Sequence, residues 1–342
     1  MGDIHARGHA EKFPERGKVS ELPVIFLWPY SSCDCRCVMC DIGKDHTRRR
    51  LELDDLVRWI PEWVQLGVAR VEITGGEALL HPQIWDICDL IREACIEVEL
   101  LSTGLTVKRH AENIVSRCES LNLSLDGPKM VHNQIRNVPL AYDLLAKGMQ
   151  AIRALDRDFE VKGCCTVQLA NYQHLRETVD AAHELGFNSI SFSAVDITSI
   201  AFNRDDPWSA EKASTIALSA HDLPRLEHEI QTLSDQYADD FQSGFIKESP
   251  QRLMAKLVEY STALCGRGQF PANSCNAPWK SAVVKFDGTV GPCFFHPNYG
   301  VVGNGGFIDL LNSKQAADFR ANLDVLGDAT CGRCICPLSI GG

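Results

Sequence analysis

Between about residue 22 and residue 195 the chain repeats one unit six times, a short apolar run followed by an amphipathic stretch. The runs are "VIFLWPY" (24–30), "VARVEIT" (68–74), "VELLS" (98–102), "SLNLSLD" (120–126), "FEVKGCCTVQL" (159–169) and "NSISFSAV" (188–195). Helical spacing marks the stretches near 53–66, 82–95, 106–117, 139–155 and 171–185. Strands that each lead into a helical crossover lie parallel, and the crossovers are right-handed. Strands covered by helices read as nearly continuous apolar runs, as these do. The expected fold class is therefore α/β, a partial (β/α)6 TIM-like barrel.

The rhythm stops near residue 200. The next segment is charged and helical, with "LPRLEHEIQTLSDQY" (223–237) amphipathic at the 3–4 spacing. From about 266 the composition turns to Gly, Pro, Asn and Cys, and "AVVKFDGTVGPC" (282–293) predicts a hairpin with Asp287-Gly288 as its turn. Four parts are expected: a polar segment 1–21, the barrel 22–200, a helical bridge 201–265 and a small Cys-rich domain 266–342.

At 342 residues and 45% hydrophobic content the chain can bury a sizeable core. A net charge of -11 opposes a nucleic-acid partner, because phosphate binding needs a basic surface. No apolar run reaches the roughly 18 residues of a membrane span, and the polar start lacks the apolar core of a secretion signal. A cytoplasmic location is expected. In that compartment fifteen cysteines speak for metal or catalysis rather than disulfides. They gather at two places: Cys33, Cys35, Cys37 and Cys40, then Cys275, Cys293, Cys331, Cys334 and Cys336.

The first group, "SSCDCRCVMC" (31–40), follows strand one. Parallel strand–helix domains carry their reactive groups on such loops, at the carboxyl ends of strands. Cys33, Cys37 and Cys40 make the spacing C-x3-C-x2-C. Three thiolates hold three irons of a [4Fe–4S] cube and leave the fourth open, whereas a structural zinc site wants four closed ligands. Cys35 is crowded between its neighbours and reads as a bystander, with a fourth-ligand role the alternative.

This loop resembles the motif of the radical S-adenosylmethionine (SAM) superfamily, C-x3-C-x-φ-C, with Met39 at the apolar position φ. The resemblance covers nearly the whole chain. It implies that the open iron is chelated by the amino and carboxyl groups of SAM, with the backbone around Met39 beside the adenine. "VEITGGEALLHP" (71–82) resembles the GGE motif: Gly75 and Gly76 let the backbone approach a ligand, and Glu77 holds the methionyl ammonium. "LLSTGL" (100–105) resembles the segment that meets the ribose, which makes Ser102 and Thr103 candidates. "LNLSLDGPKMVHNQIR" (121–136) resembles the stretch whose strand-four Ser and following Arg contact SAM, here Ser124 and Arg136. A guanidinium fork suits a carboxylate; a solvated charge at a helix start is the plain alternative for Arg136. "SFSAV" (191–195) is a weaker candidate for closing over the adenine.

Cys275-x12-Gly288-x4-Cys293, then Cys331-x2-Cys334, resembles the twitch domain, the short form of the SPASM domain. The resemblance implies one auxiliary [4Fe–4S] cluster on Cys275, Cys293, Cys331 and Cys334. A zinc ribbon uses a similar layout and stays open as an alternative. Only Cys336 follows, too few cysteines for a second auxiliary cluster. Elsewhere, Cys88 and Cys95 sit seven apart on one expected helix face, a core spacing, and Trp59 and Trp63 read as core. Cys164 and Cys165 point to opposite faces of strand five, one towards the lumen. There a thiol could donate a hydrogen atom, although plain packing is the simpler reading. "RRR" (48–50) reads as a solvated helix start.

The resemblance implies reductive cleavage of SAM to methionine and a 5′-deoxyadenosyl radical, which abstracts a substrate hydrogen, with a flavodoxin- or ferredoxin-type electron donor. Strand one begins near residue 24, too early for a leader-peptide-binding domain ahead of it. A small polar substrate is therefore expected: a sugar, aminocyclitol or sugar nucleoside of secondary-metabolite (antibiotic) biosynthesis. The reaction would be an oxidation or a decarboxylation, as in aminocyclitol and sugar dehydrogenases or cytosylglucuronate decarboxylase-like members. The alternatives are a peptide- or protein-modifying SPASM maturase and, from another class, a non-catalytic iron–sulfur or zinc redox sensor.

Overall fold

A computed structural model describes residues 17–340; the expected polar segment falls outside it up to residue 16. Six strands pair in chain order, all parallel: β1 (Val24–Trp28), β2 (Arg70–Ile73), β3 (Glu97–Ser102), β4 (Ser120–Ser124), β5 (Glu160–Val167) and β6 (Ser189–Ala194). Between them run α1 (Leu53–Gln65), α2 (Ile84–Glu93), α3 (Val107–Arg117), the pair α4 (Lys129–Arg136) and α5 (Ala141–Leu155), and α6 (Leu175–Leu185). The expected α/β arc is present.

Residue alternation explains which face is which. Along β5, Val161, Cys165 and Val167 are buried against the helical layer, while Glu160, Lys162, Cys164 and Thr166 point to the concave face. Lys162 of β5 reaches Glu99 of β3 at 3.4 Å, passing over β4, which is possible only inside the arc. Arg70 of β2 joins the same group, 3.1 Å from Glu72 and 3.9 Å from Glu99. The lumen therefore has a charged lower layer, with Cys164 one step nearer the strands' carboxyl ends.

Both edges of the arc are covered, which removes open backbone groups. Beyond β6, Ile190 accepts from Lys247 N–H at 2.9 Å and donates to the Phe245 carbonyl at 2.7 Å. The segment leading there carries α7 (Ala210–Ser214), α8 (Leu223–Gln236) and α9 (Ala238–Ser243). A helical run follows, Pro250–Leu253, Met254–Glu259 with π geometry, and Tyr260–Leu264. At the other edge β7 (Ser281–Lys285) pairs in parallel with β1, and β8 (Thr289–Gly291) and β9 (Gly300–Val301) follow antiparallel. The expected hairpin exists, and it extends the barrel sheet to nine strands, β6-β5-β4-β3-β2-β1-β7-β8-β9.

Local expectations divide. Trp59 and Trp63 are core, at 3% and 0% exposure. Cys88 is buried, but α2 stops at Glu93 and Cys95 turns into the left-handed region (φ 60) with its side chain exposed, so the two do not share a helix face. Arg48–Arg50 start no helix either. Arg48 turns through left-handed backbone (φ 54), Arg50 is bridged antiparallel to Tyr30, and α1 begins at Leu53.

Candidate active site and cluster loops

The loop after β1 is pinned by its neighbours. The Ser32 carbonyl accepts from Glu77 N–H at 2.9 Å, Val38 N–H donates to the Ile135 carbonyl at 3.0 Å, and Leu51 N–H donates to the Pro29 carbonyl at 2.9 Å. Cys33, Cys37 and Cys40 are half-buried, and Cys35 is buried at 1% exposure. Hydrogen bonding with Cys33 and Cys37, then burial, push the Cys35 thiol far above its usual range, and its main-chain N–H donates to the Cys33 sulfur at 3.4 Å. Cys37 falls to about 7, chiefly through the Cys35 hydrogen bond and further through Arg136, whose Nη1 lies 3.6 Å from its sulfur. Burial raises Cys40 to about 12.

Glu77 lies behind this loop with 0% exposure. Its carboxylate accepts from Thr103 N–H at 2.7 Å, from Ser102 Oγ at 3.0 and 3.1 Å, and from Leu79 N–H at 3.1 Å. Burial first, and the nearby Asp34 carboxylate second, raise it to about 7. Thr103 Oγ1 donates to Asp34 Oδ1 at 3.0 Å, while Asp34 Oδ2 is buried without a partner among the described residues. Two carboxylates and an unpartnered oxygen, with no cation paired to them among the described residues, fit an ammonium-bearing ligand such as SAM. As placed here, the Ser102 hydroxyl and the Thr103 N–H orient Glu77, and the Thr103 hydroxyl orients Asp34. Gly75 (φ +110) and Gly76 meet the protein itself, since a Cβ would strike the Trp28 ring on the first and the Ser32 carbonyl oxygen on the second.

Arg136 ends α4 and is 7% exposed, so it is no solvated charge. It pairs with Asp126 at 2.6 Å, a residue the sequence reading passed over although it stands two positions after Ser124. Asp126 is fully buried, held by Thr166 N–H at 2.9 Å, and Arg136 Nε has no partner among the described residues. Ser124 is buried, 4.0 Å from the Cys164 sulfur.

A segment after β6 straps the cluster loop from outside. Arg204 Nη2 donates to the Met39 carbonyl at 3.1 Å and Nη1 pairs with Asp196 at 2.8 Å, with both side chains almost wholly buried. Arg204 also lies 4.0 Å over the Trp208 ring, whose Nε1 donates to Asp41 at 3.2 Å. Phe202 and Asn203 take left-handed backbone (φ 61 and 63) so that the Phe202 carbonyl can accept from Asp41 N–H at 3.2 Å. Val195, from the stretch expected over the adenine, packs with Met39, Ile135 and Ile216.

Beside β1 and β7, Cys275, Cys293, Cys331, Cys334 and Cys336 line one cavity together with Phe26, Phe294 and His296. Backbone N–H groups point at two of the sulfurs, Phe295 to Cys293 at 3.4 Å and Cys336 to Cys334 at 3.3 Å. The four expected ligands are together, and Cys336 shares their cavity.

Removing the strap's cation leaves Asp196 buried and unpaired. Arg204→Met should cost about 3–5 kcal/mol, seen as a lower anaerobic urea midpoint. Adding Asp196→Asn should recover much of the loss, and equal midpoints for the wild type and Arg204→Met would refute the clamp.

Residues 29–182 match the model of the radical SAM superfamily, and residues 275–335 match SPASM, an iron–sulfur cluster-binding domain. The AdoMet-dependent heme synthase of Methanosarcina barkeri is 25% identical over 174 residues, 49% of this chain and 49% of that protein. A GTP 3′,8-cyclase of Limosilactobacillus fermentum is 36% identical over 102 residues, 28% of this chain and 30% of that protein. The chain thus spans half or less of the length of these relatives. Two solved structures share the fold: Streptococcus suis SuiB bound to S-adenosylmethionine (TM-score 0.63, 16% identity, 94% of this chain and 73% of that one) and anSMEcpe with bound AdoMet (TM-score 0.63, 18% identity, 89% and 84%). Among the described residues no helix is long and apolar enough to cross a membrane. The radical SAM domain implies a [4Fe–4S] cluster with SAM, and the SPASM domain implies auxiliary iron–sulfur clusters. The chain joins a radical SAM domain at residues 29–182 to a SPASM iron–sulfur domain at residues 275–335.

Proposed function

We propose that this radical SAM enzyme acts in the cytoplasm on a small polar molecule, a sugar, aminocyclitol or sugar nucleoside, and oxidises or decarboxylates it. The lumen lining carries this reading. Glu72, Glu99 and Lys162 form its charged layer, and Asn122 and Thr166 add amide and hydroxyl groups. Such walls favour a ligand rich in hydroxyl or amino groups, and they penalise an apolar one that leaves them unpaired.

When bound, the cluster and SAM supply the 5′-deoxyadenosyl radical that takes the substrate hydrogen. The chain positions and shields. Cys33, Cys37 and Cys40 would hold the iron, Glu77 would receive the methionyl ammonium, and the strap holds the Met39 carbonyl. Arg136, anchored on Asp126, keeps its Nε free for an anionic group. For a net oxidation the substrate radical loses one electron and one proton to give a ketone. The proposed electron acceptor is one auxiliary cluster on Cys275, Cys293, Cys331 and Cys334. For a sugar acid, loss of CO2 from the radical followed by return of an electron and a proton is redox-neutral. A flavodoxin- or ferredoxin-type protein would reduce the first cluster.

Peptide modification is the second reading. It is favoured by the shared fold with SuiB, solved bound to the precursor peptide SuiA, and with anSMEcpe, solved with the Cp18Cys peptide. A non-catalytic sensor would have no use for the Glu77 network.

In the SAM-free protein Glu77 titrates at about 7, and a proton there competes with the ammonium. SAM affinity should therefore fall as pH drops below about 7, by up to about tenfold per unit. Glu77→Gln should flatten this dependence and raise the dissociation constant at least about tenfold with iron content unchanged. A pH-independent wild-type affinity would remove Glu77 from the ammonium site.

The double variant Cys331→Ala, Cys334→Ala should drop from about eight irons to about four. It should keep uncoupled SAM cleavage and lose ketone formation. Full turnover by the folded double variant would exclude net oxidation through that cluster and leave decarboxylation.

A further inference from the structure

The auxiliary cavity holds one histidine that the cluster-binding pattern does not use. His296 follows Cys293 by three residues, and its ring is 8% exposed. Its Nε2 lies 3.2 Å from the Cys331 sulfur and 3.6 Å from Asp328 Oδ1. Asp328 Oδ1 is itself fixed, because it accepts from Thr330 N–H at 2.9 Å and Cys331 N–H at 2.8 Å. Phe319 packs edge-on against the imidazole with centroids 5.0 Å apart, which holds the ring in this orientation.

The two neighbours of Nε2 decide where the ring carries its proton. A carboxylate oxygen accepts only, and a cysteine sulfur bound to iron has lost its hydrogen and also accepts only. With Cys331 bound to iron, Nε2 would face two acceptors, and the Nε2–H tautomer would aim its hydrogen at the sulfur. The other sulfurs with a donor in this cavity receive only main-chain N–H groups, at 3.3–3.4 Å. Among the described residues His296 is the one side-chain donor that reaches a proposed ligand sulfur of this cavity.

Hydrogen bonds to a ligating sulfur draw negative charge from the cluster and stabilise its reduced, more negative state. We propose that His296 is a positioning residue of the auxiliary site, one that raises the cluster's reduction potential through Nε2–H···Sγ contact with Cys331. The inference rests on Cys331 being a ligand of that cluster. It gives the site a direction, since a raised potential makes the cluster a better acceptor of an electron from a substrate radical.

The test is an EPR-monitored redox titration of the whole, anaerobically reconstituted chain, with iron counted alongside. His296→Phe should retain about eight irons and shift the auxiliary midpoint to more negative potential, while the cluster on Cys33, Cys37 and Cys40 is unmoved. His296→Gln, which keeps an N–H near the same place, should fall between the two. An unchanged auxiliary midpoint in an iron-replete His296→Phe overturns the proposal. If His296→Phe loses the cluster, His296→Gln decides. An assembled cluster with a midpoint below wild type supports the proposal, and either a lost cluster or an unchanged midpoint overturns it. A wild-type chain with only about four irons would remove the auxiliary cluster, and this proposal with it.

Discussion

Main-chain hydrogen bonds from neighbouring segments to residues 29–41 are what the rest of the site depends on. The loop's own regular structure among residues 29–44 is one short 3-10 turn at Ile42–Lys44, so three thiols can stand at fixed places only if other elements fix the backbone. The strand-two glycine turn does so at Ser32, α4 at Val38, and the strap at Met39 and Asp41. Each of these partners also carries chemistry or sits beside it. Glu77 donates its own N–H to Ser32 while its carboxylate faces Asp34, and Arg136 follows Ile135 on α4. The loop that would hold iron and the groups that would hold SAM are thus set by the same bonds.

Electrostatics divides the lumen by height. Near the strands' carboxyl ends sit the buried pair Arg136–Asp126 and the neighbouring carboxylates Glu77 and Asp34, and it is these two carboxylates whose burial costs free energy unless a cation arrives. Below them the Arg70–Glu72–Glu99–Lys162 group is already paired and half-exposed, so it adds little stability but gives the chamber a polar floor. The auxiliary domain docks on the other side of β1. Because β7 pairs with β1 in register from Val24↔Ser281 to Trp28↔Lys285, one sheet carries both sets of cysteines.

Much of this was legible in the chain. The six apolar runs mark β1 to β6 because a strand covered on one face by helices leaves little room for polar residues there. Cys33, Cys37, Cys40 and Glu77 stand out by motif spacing, and the structure brings the cysteine loop and Glu77 together through the Glu77 N–H bond to Ser32. Bonds that join residues far apart in sequence are not legible in this way. The pairing of β7 with β1 leaves no local trace, and "AVVKF" predicts a strand without naming its neighbour. Asp196 and Arg204 lie in irregular loop with no periodicity to reveal that they meet. The bonds of the Ser102 hydroxyl and the Thr103 N–H to Glu77, a carboxylate more than twenty residues away, leave no local trace either. Cys95 and the arginines at 48–50 were given helical places that the chain does not adopt, because α2 ends early and α1 starts late.

The central claim is that the loop carrying Cys33, Cys37 and Cys40, backed by Glu77, cleaves SAM by one-electron reduction. The most direct measurement is anaerobic: iron-replete protein, dithionite and SAM, with 5′-deoxyadenosine quantified by chromatography. The account predicts 5′-deoxyadenosine from the wild type and none from the folded Cys33/Cys37/Cys40 triple alanine variant. A folded, iron-replete wild type that binds SAM and yields no 5′-deoxyadenosine under reduction, or a triple variant that yields as much as wild type, would contradict it.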